Sequence, residues 1–214
     1  MKAELLTSIR RNSISLILIS AVVAVILALV YQLSANRIAE QQTQNERARL
    51  AEIFPADAHD NDLLDASISL HSVTQNIRNP ELLGLREDAL AYIARTDNAL
   101  SGIILPAIAR DGYNGDIQLL VGLSASGEIT GVRVVQHRET PGLGDKIDQR
   151  IDQWILGFNG RSLDNTIIED WTVKKNGGDF DQFTGATITP RAVVRKVHDV
   201  LNFYQQNEQI FRSL

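Results

Sequence analysis

Twenty consecutive residues, Ile14 to Leu33, carry no charged side chain and only Ser15, Ser20 and Gln32 as clearly polar groups. A helix of that length rises about 30 Å, the hydrocarbon thickness of a bilayer, so the run is read as one membrane-spanning helix. Tyr31 falls near its end, where an aromatic ring meets the interface. A cleaved signal peptide would have a shorter apolar region, about 7–15 residues, followed by a small-x-small site. Tyr31-Gln32-Leu33-Ser34-Ala35-Asn36 supplies that poorly, so the segment is expected to remain as an anchor. Lys2, Arg10 and Arg11 precede it and only Arg37 follows closely. The positive-inside tendency therefore puts residues 1–13 in the cytoplasm as a short tail and exports residues 34–214. Taking Lys2, Arg10, Arg11 and Glu4 away from the chain's 21 basic and 26 acidic residues leaves the exported part more acidic than the overall −5. A bacterial inner membrane, with the domain in the periplasm, suits that arrangement best.

The 214 residues allow one medium domain beyond the anchor. The chain contains no cysteine, which removes disulfides, thiolate iron–sulfur clusters, cysteine-ligated zinc and cysteine nucleophiles. Any redox chemistry must use another cofactor. The basic residues are scattered and outnumbered, so no nucleic-acid partner is expected. His59, His71, His137 and His198 show no ligand spacing, and no metal site is expected. The local signatures of serine hydrolases, phosphate loops and dinucleotide folds are missing as well, and no side chain is assigned a catalytic role.

From Ser34 to Phe54, Ile38, Leu50 and Ile53 stand in a polar background that continues the anchor or forms a helical stalk, which Pro55 ends. Residues 34–87 are thus a stalk and a loop-rich lead-in, and 88–214 the main domain. Strands are expected at 89–95, 100–105, 116–123 and 128–137, the last two as a hairpin, with turns at Asp111-Gly112-Tyr113-Asn114-Gly115 and Ser124-Ala125-Ser126-Gly127. Ile147, Ile151, Trp154 and Ile155 recur at helical spacing after Gly144, and 167–173 has the composition of a strand. Thr189-Pro190 marks a helix start, with Thr189 as cap and Val193, Val194, Val197, Leu201 and Tyr204 on one face. The fold class is α+β: one N-terminal transmembrane helix, then a single mostly antiparallel domain.

Immediately before that helix stands Asp181-Gln182-Phe183-Thr184-Gly185-Ala186-Thr187-Ile188-Thr189. Gly185 permits a positive φ or close approach of a ligand, and Ala186 leaves room. Thr184, Thr187 and Thr189 bring hydroxyls to the unsatisfied N–H groups of a helix start, a place that favours an anion and above all a phosphate. No basic partner is visible to activate a Thr hydroxyl, so it is read as an acceptor that another enzyme modifies. Upstream, His137-Arg138-Glu139-Thr140-Pro141-Gly142-Leu143-Gly144 is a strand-to-helix turn whose backbone could approach a flat ring closely. Trp154 and Phe158 are better suited to core packing, and Lys174 and Lys175 to a solvated pair.

The first string resembles the flavinylation motif Asp-x-x-(Ser/Thr)-Gly-Ala-Thr of the FMN-binding domain shared by the RnfG subunit of Rnf electron-transport complexes and the NqrC subunit of sodium-pumping NADH:quinone reductases. All its defined positions match, and the second string resembles the family's Glu-Thr-Pro-Gly-Leu-Gly loop. The resemblance implies FMN bound covalently to Thr187 through a phosphoester, installed from FAD by a Mg²⁺-dependent flavin transferase. Asp181, Thr184, Gly185 and Ala186 complete the motif, and Thr189, Glu139, Thr140, Leu143 and Gly144 are the further cofactor-binding residues. It also implies a redox subunit that performs no complete reaction alone, in a membrane complex coupling electron transfer between NADH and ferredoxin to Na⁺ or H⁺ movement. Its partners would be a second covalent-FMN subunit, iron–sulfur subunits and the lipid bilayer. The chain's short length favours the RnfG type over the NqrC type. A membrane-tethered periplasmic binding module, with the Thr-Gly-Ala-Thr turn merely capping a helix, is the alternative from another class.

Overall fold

A computed structural model describes residues 2–73, 77–87 and 89–213. A first helix, α1 (Lys2–Ile53), contains a stretch, Leu16–Ile53, long and apolar enough for one membrane crossing, and its most apolar window is unburied. The side chains of Lys2, Arg10 and Arg11, on which the expected orientation rests, lie outside the described residues. The chain divides into two compact units, 1–46 and 47–214.

In the second unit five strands, β1 (Ser67–Ser69), β2 (Leu90–Thr96), β3 (Ala99–Gly112), β4 (Gly115–Ser124) and β5 (Ile129–Gln136), form one antiparallel sheet in sequence order. A one-turn helix, α2 (Leu70–Val73), follows β1, and the long α3 (Ile188–Ser213) closes the chain. Strand alternation sends neighbouring residues to opposite faces. On β3, Ile103 and Leu105 enter the main core with Val193, Val194, Val197 and Leu201 of α3, while Ile104 enters a second cluster with Leu50, Ile53, Phe54 and Tyr92. Both faces are therefore covered, and the apolar stripe expected on α3 is buried throughout.

Three glycines explain how the end of α1 reaches the sheet. A Cβ on Gly102 would lie 2.2 Å from the Phe54 ring, on Gly122 2.4 Å from Ile53 Cγ2, and on Gly131 3.0 Å from the Ile53 backbone. Gly122 and Gly131 are paired across β4 and β5, so the missing side chains form a channel for residues 53 and 54. α1 stops at Ile53, just before Pro55, as the sequence indicates.

Three expectations are corrected. β3 runs on to Gly112 instead of stopping near Leu105; Pro106 stands past the last β2 pair, Tyr92 with Ile104, where its missing N–H breaks no pairing with β2. The stretch after Gly144 is two 3₁₀ segments, Gly144–Ile147 and Gln153–Phe158, in place of one helix. Asp148 and Asp152 are extended, and their carboxylates accept the N–H groups of Arg150 and Trp154, which interrupts the helical ladder and leaves Ile151 53% exposed. The region 167–173 is a 3₁₀ turn, Ile168–Asp170, followed by a single bridge between Val173 and Phe180.

Candidate functional site

The approach to α3 is set by a tight turn. The Ala186 N–H donates to the Phe183 carbonyl (3.0 Å), and Gly185, third in that turn, has φ 82°, a region costly for residues with a Cβ. α3 begins at Ile188, one residue before the expected cap, and the Arg191 N–H reaches the Thr187 carbonyl (3.4 Å). Thr187 therefore stands at the head of the helix with its side chain half-buried. Thr189 is fully buried inside the first turn and does not cap it.

Opposite lies the loop after β5. The N–H groups of Leu143 and Gly144 both donate to the Thr140 carbonyl (3.1 Å each), curling the chain, with Gly142 at φ 77°. The β3–β4 turn holds this loop from the side: Asn114 Nδ2 donates to Thr140 Oγ1 (3.0 Å) and the Asn114 N–H to Glu139 Oε1 (3.1 Å). The Glu139 N–H in turn donates to His137 Nδ1 (3.1 Å). The Thr189 hydroxyl donates to Glu139 Oε2 at 2.6 Å, so a buried carboxylate, 5% exposed, joins loop, turn and helix.

Between these walls is a cavity of about 250 Å³ lined by Tyr113, Glu139, Thr140, Leu143, Gly144, Gly185, Ala186, Thr187, Ile188 and Thr189. Eight of the ten residues singled out in the sequence meet here. Asp181 and Thr184 do not line it. The exposed Asp181 carboxylate pairs with Lys174 Nζ (2.7 Å), and Thr184 is exposed in the turn. The Asp181 carbonyl accepts Trp154 Nε1–H (2.8 Å), and Trp154 packs edge-on to Phe183 (5.1 Å) and Phe158 (5.5 Å). These rings thus brace the motif from beneath. Tyr113, Asn114 and Ile188 were missed: the Asp-Gly-Tyr-Asn-Gly string announces a turn, but nothing local says that it docks on Thr140, 26 residues away.

The cavity suits part of a flavin nucleotide. Its volume lies just under the usual span for small-molecule pockets, about 300–1,000 Å³, so much of a bound ring would stay accessible. Glycine brings the walls close: a Cβ on Gly185 would lie 3.2 Å from Leu143 Cδ2, and one on Gly144 2.8 Å from Glu139 Oε2. Tyr113, Leu143 and Ile188 are 67%, 41% and 47% exposed, an apolar rim for an aromatic ligand. Arg191, one helical turn past Thr187, has a buried Nε with no partner, a free donor close in sequence to a phosphate-accepting helix start. Among the described residues no cluster of His, Asp and Glu could hold a metal ion.

Two family models match the chain: the FMN-binding domain over residues 112–202 and the RnfG N-terminal region over residues 1–53. The G subunit of the ion-translocating oxidoreductase complex of Pseudomonas aeruginosa PAO1 is 45% identical over 98% of this chain and 94% of its own length. The protein of the same name from Vibrio cholerae serotype O1 is 43% identical over 96% of this chain and 94% of its own length. A crystal structure of Shewanella oneidensis NqrC is similar with a TM-score of 0.49 at 23% identity, over 72% of this chain and 76% of that one.

Proposed function

This chain belongs to the RnfG family of ion-translocating oxidoreductase complexes and carries an FMN-binding domain, and from there we propose that it carries electrons on an FMN joined to Thr187 by a phosphoester. The observation that supports the attachment point is the position of Thr187: a half-buried hydroxyl at the head of α3, on the wall of the cavity between the Gly185 turn and the Thr140–Gly144 loop. The flavin, when bound, supplies the one- and two-electron chemistry that this cysteine-free chain lacks.

Each neighbour then has a part. The free N–H groups and dipole of the α3 N-terminus stabilise the phosphodiester charge, and Arg191 offers a cation one turn on. Tyr113, Leu143 and Ile188 present apolar surface to the ring, while Glu139, Thr140 and Thr189 fix the distance between loop and helix. Attachment uses FAD and a Mg²⁺-dependent flavin transferase. In that reaction Thr187 Oγ would take the FMN phosphorus, with AMP as the leaving group and the hydroxyl proton released to solvent. Asp181, paired with Lys174, and Thr184 are exposed and off the cavity, where that enzyme can reach them.

The anchor holds the protein in a bacterial inner membrane with the N-terminus cytoplasmic and residues 88–214 periplasmic. There it works with iron–sulfur subunits and a second covalent-FMN subunit in electron transfer between NADH and ferredoxin, coupled to Na⁺ or H⁺ movement. In-gel flavin fluorescence tests the attachment. Protein co-expressed with the transferase is expected to give a fluorescent band, and Thr187→Ala a dark one at equal protein load; a fluorescent Thr187→Ala band would remove the assignment.

A further inference from the structure

Among the described residues, Glu139 is the only carboxylate that lines the cavity. Oε1 accepts the Asn114 N–H and Oε2 the Thr189 hydroxyl. Neither donor is charged. None of the ion pairs among the described residues includes Glu139. At 5% exposure, little water screens it. Gly112 and Gly144 close over the group, since a Cβ on either would stand 2.9 Å or 2.8 Å from its oxygens. The result is an enclosed negative charge without a counter-ion on the wall of the cofactor cavity, an arrangement costly for stability alone.

We infer that Glu139 sets the redox potential of the cofactor: its unpaired charge opposes electron uptake by a flavin in this cavity and holds the midpoint potential low. This rests on the reading that FMN carried by Thr187 occupies the cavity. The physical basis is Coulombic. Adding an electron to a ring beside a fixed negative charge is less favourable, and more so where the dielectric is low. Glu139 takes up neither electron nor proton in this role. Tyr113 on the β3–β4 turn and His137 just past β5 are its titratable neighbours, and Arg191, the cation placed near the phosphate, forms no ion pair with it among the described residues.

The test uses the full chain, flavinylated by co-expression with the transferase, and reads the flavin spectrum during a redox titration at pH 8. Intact mass first establishes how much flavin each variant carries. Glu139→Gln, which removes the charge, is expected to raise the reduced-to-oxidised ratio at fixed ambient potential about tenfold, a shift of about 59 mV for a one-electron step. Glu139→Asp, which keeps the charge but cannot span both donors, is expected to retain the low potential. Equal potentials in wild type and Glu139→Gln would overturn the inference, as would equal rises in both variants, which would mark a packing role. If Glu139→Gln takes up no flavin, the wild-type potential is compared with that of the same protein unfolded in urea, where the charge is remote. A folded potential below the unfolded one supports the role, and one equal or higher overturns it. Wild-type protein without covalent flavin would instead remove the function proposed for Thr187, an outcome the mass reports before any potential is measured.

Discussion

Thr189→Val would leave Glu139 Oε2 buried with a methyl group where its donor had been. An acceptor stranded in this way costs about 1–3 kcal/mol, so urea unfolding should show a loss of that size, with Thr189→Ser recovering most of it. Gly144→Ala is expected to act on the same junction from the other side: its Cβ would stand 2.8 Å from Glu139 Oε2 and 3.0 Å from Thr189 Oγ1. The carboxylate must move, and flavin attachment in the presence of the transferase should fall below wild type, measured as the flavinylated fraction by mass. At this scale the sequence was informative wherever a residue's role depended on its immediate neighbours. Gly185 at positive φ before a helix is such a case. It was uninformative where the partner is remote. The Thr189-Pro190 pair looks like a helix cap, and only the fold shows that the helix starts at Ile188 and that the Thr189 hydroxyl serves a residue 50 positions earlier.

Among the elements, α3 carries a pH response. The His198 ring lies tilted against Trp171 (5.4 Å between centroids), and burial lowers its pKa below the ordinary 6.5, with Asp199 opposing the shift. The folded state thus prefers the neutral ring, so this contribution is intact above pH 6.5 and is lost as pH falls from there toward the lower folded-state value. The urea midpoint of the wild type should therefore drop between about pH 7.5 and pH 5 more than that of His198→Gln; equal drops would exclude the residue. The sheet has its own sensitive point in Gly122, whose Cβ would lie 2.4 Å from Ile53 Cγ2 and 2.5 Å from Thr130 Oγ1. Gly122→Ala is expected to cost roughly 1–3 kcal/mol, read as a lower Tm. Strand alternation and the α3 stripe were legible because burial imposes them along the chain. The segment after Gly144 was not, since apolar spacing at Ile147, Ile151 and Ile155 imitates a helix while Asp148 and Asp152 draw the backbone N–H groups away from one.

For the whole molecule, the second unit begins at Arg47, before the residues that cover the outer face of the sheet. Leu50, Ile53 and Phe54 are 0–2% exposed, so a chain of residues 47–214 should fold cooperatively, whereas 56–214 should lose at least about 3 kcal/mol by urea unfolding. That one helix is long and apolar enough to cross a membrane was readable from a single uncharged run. The cavity, by contrast, is assembled from three segments centred on residues 114, 140 and 187, and local patterns carry no record of that meeting. Whether Thr187 bears the redox cofactor is decided by the intact mass of the full chain, produced with and without the flavin transferase. A transferase-dependent gain of one FMN less one water is expected, absent in Thr187→Ala. An unmodified mass in folded wild-type protein, or a gain that persists in Thr187→Ala, would contradict it.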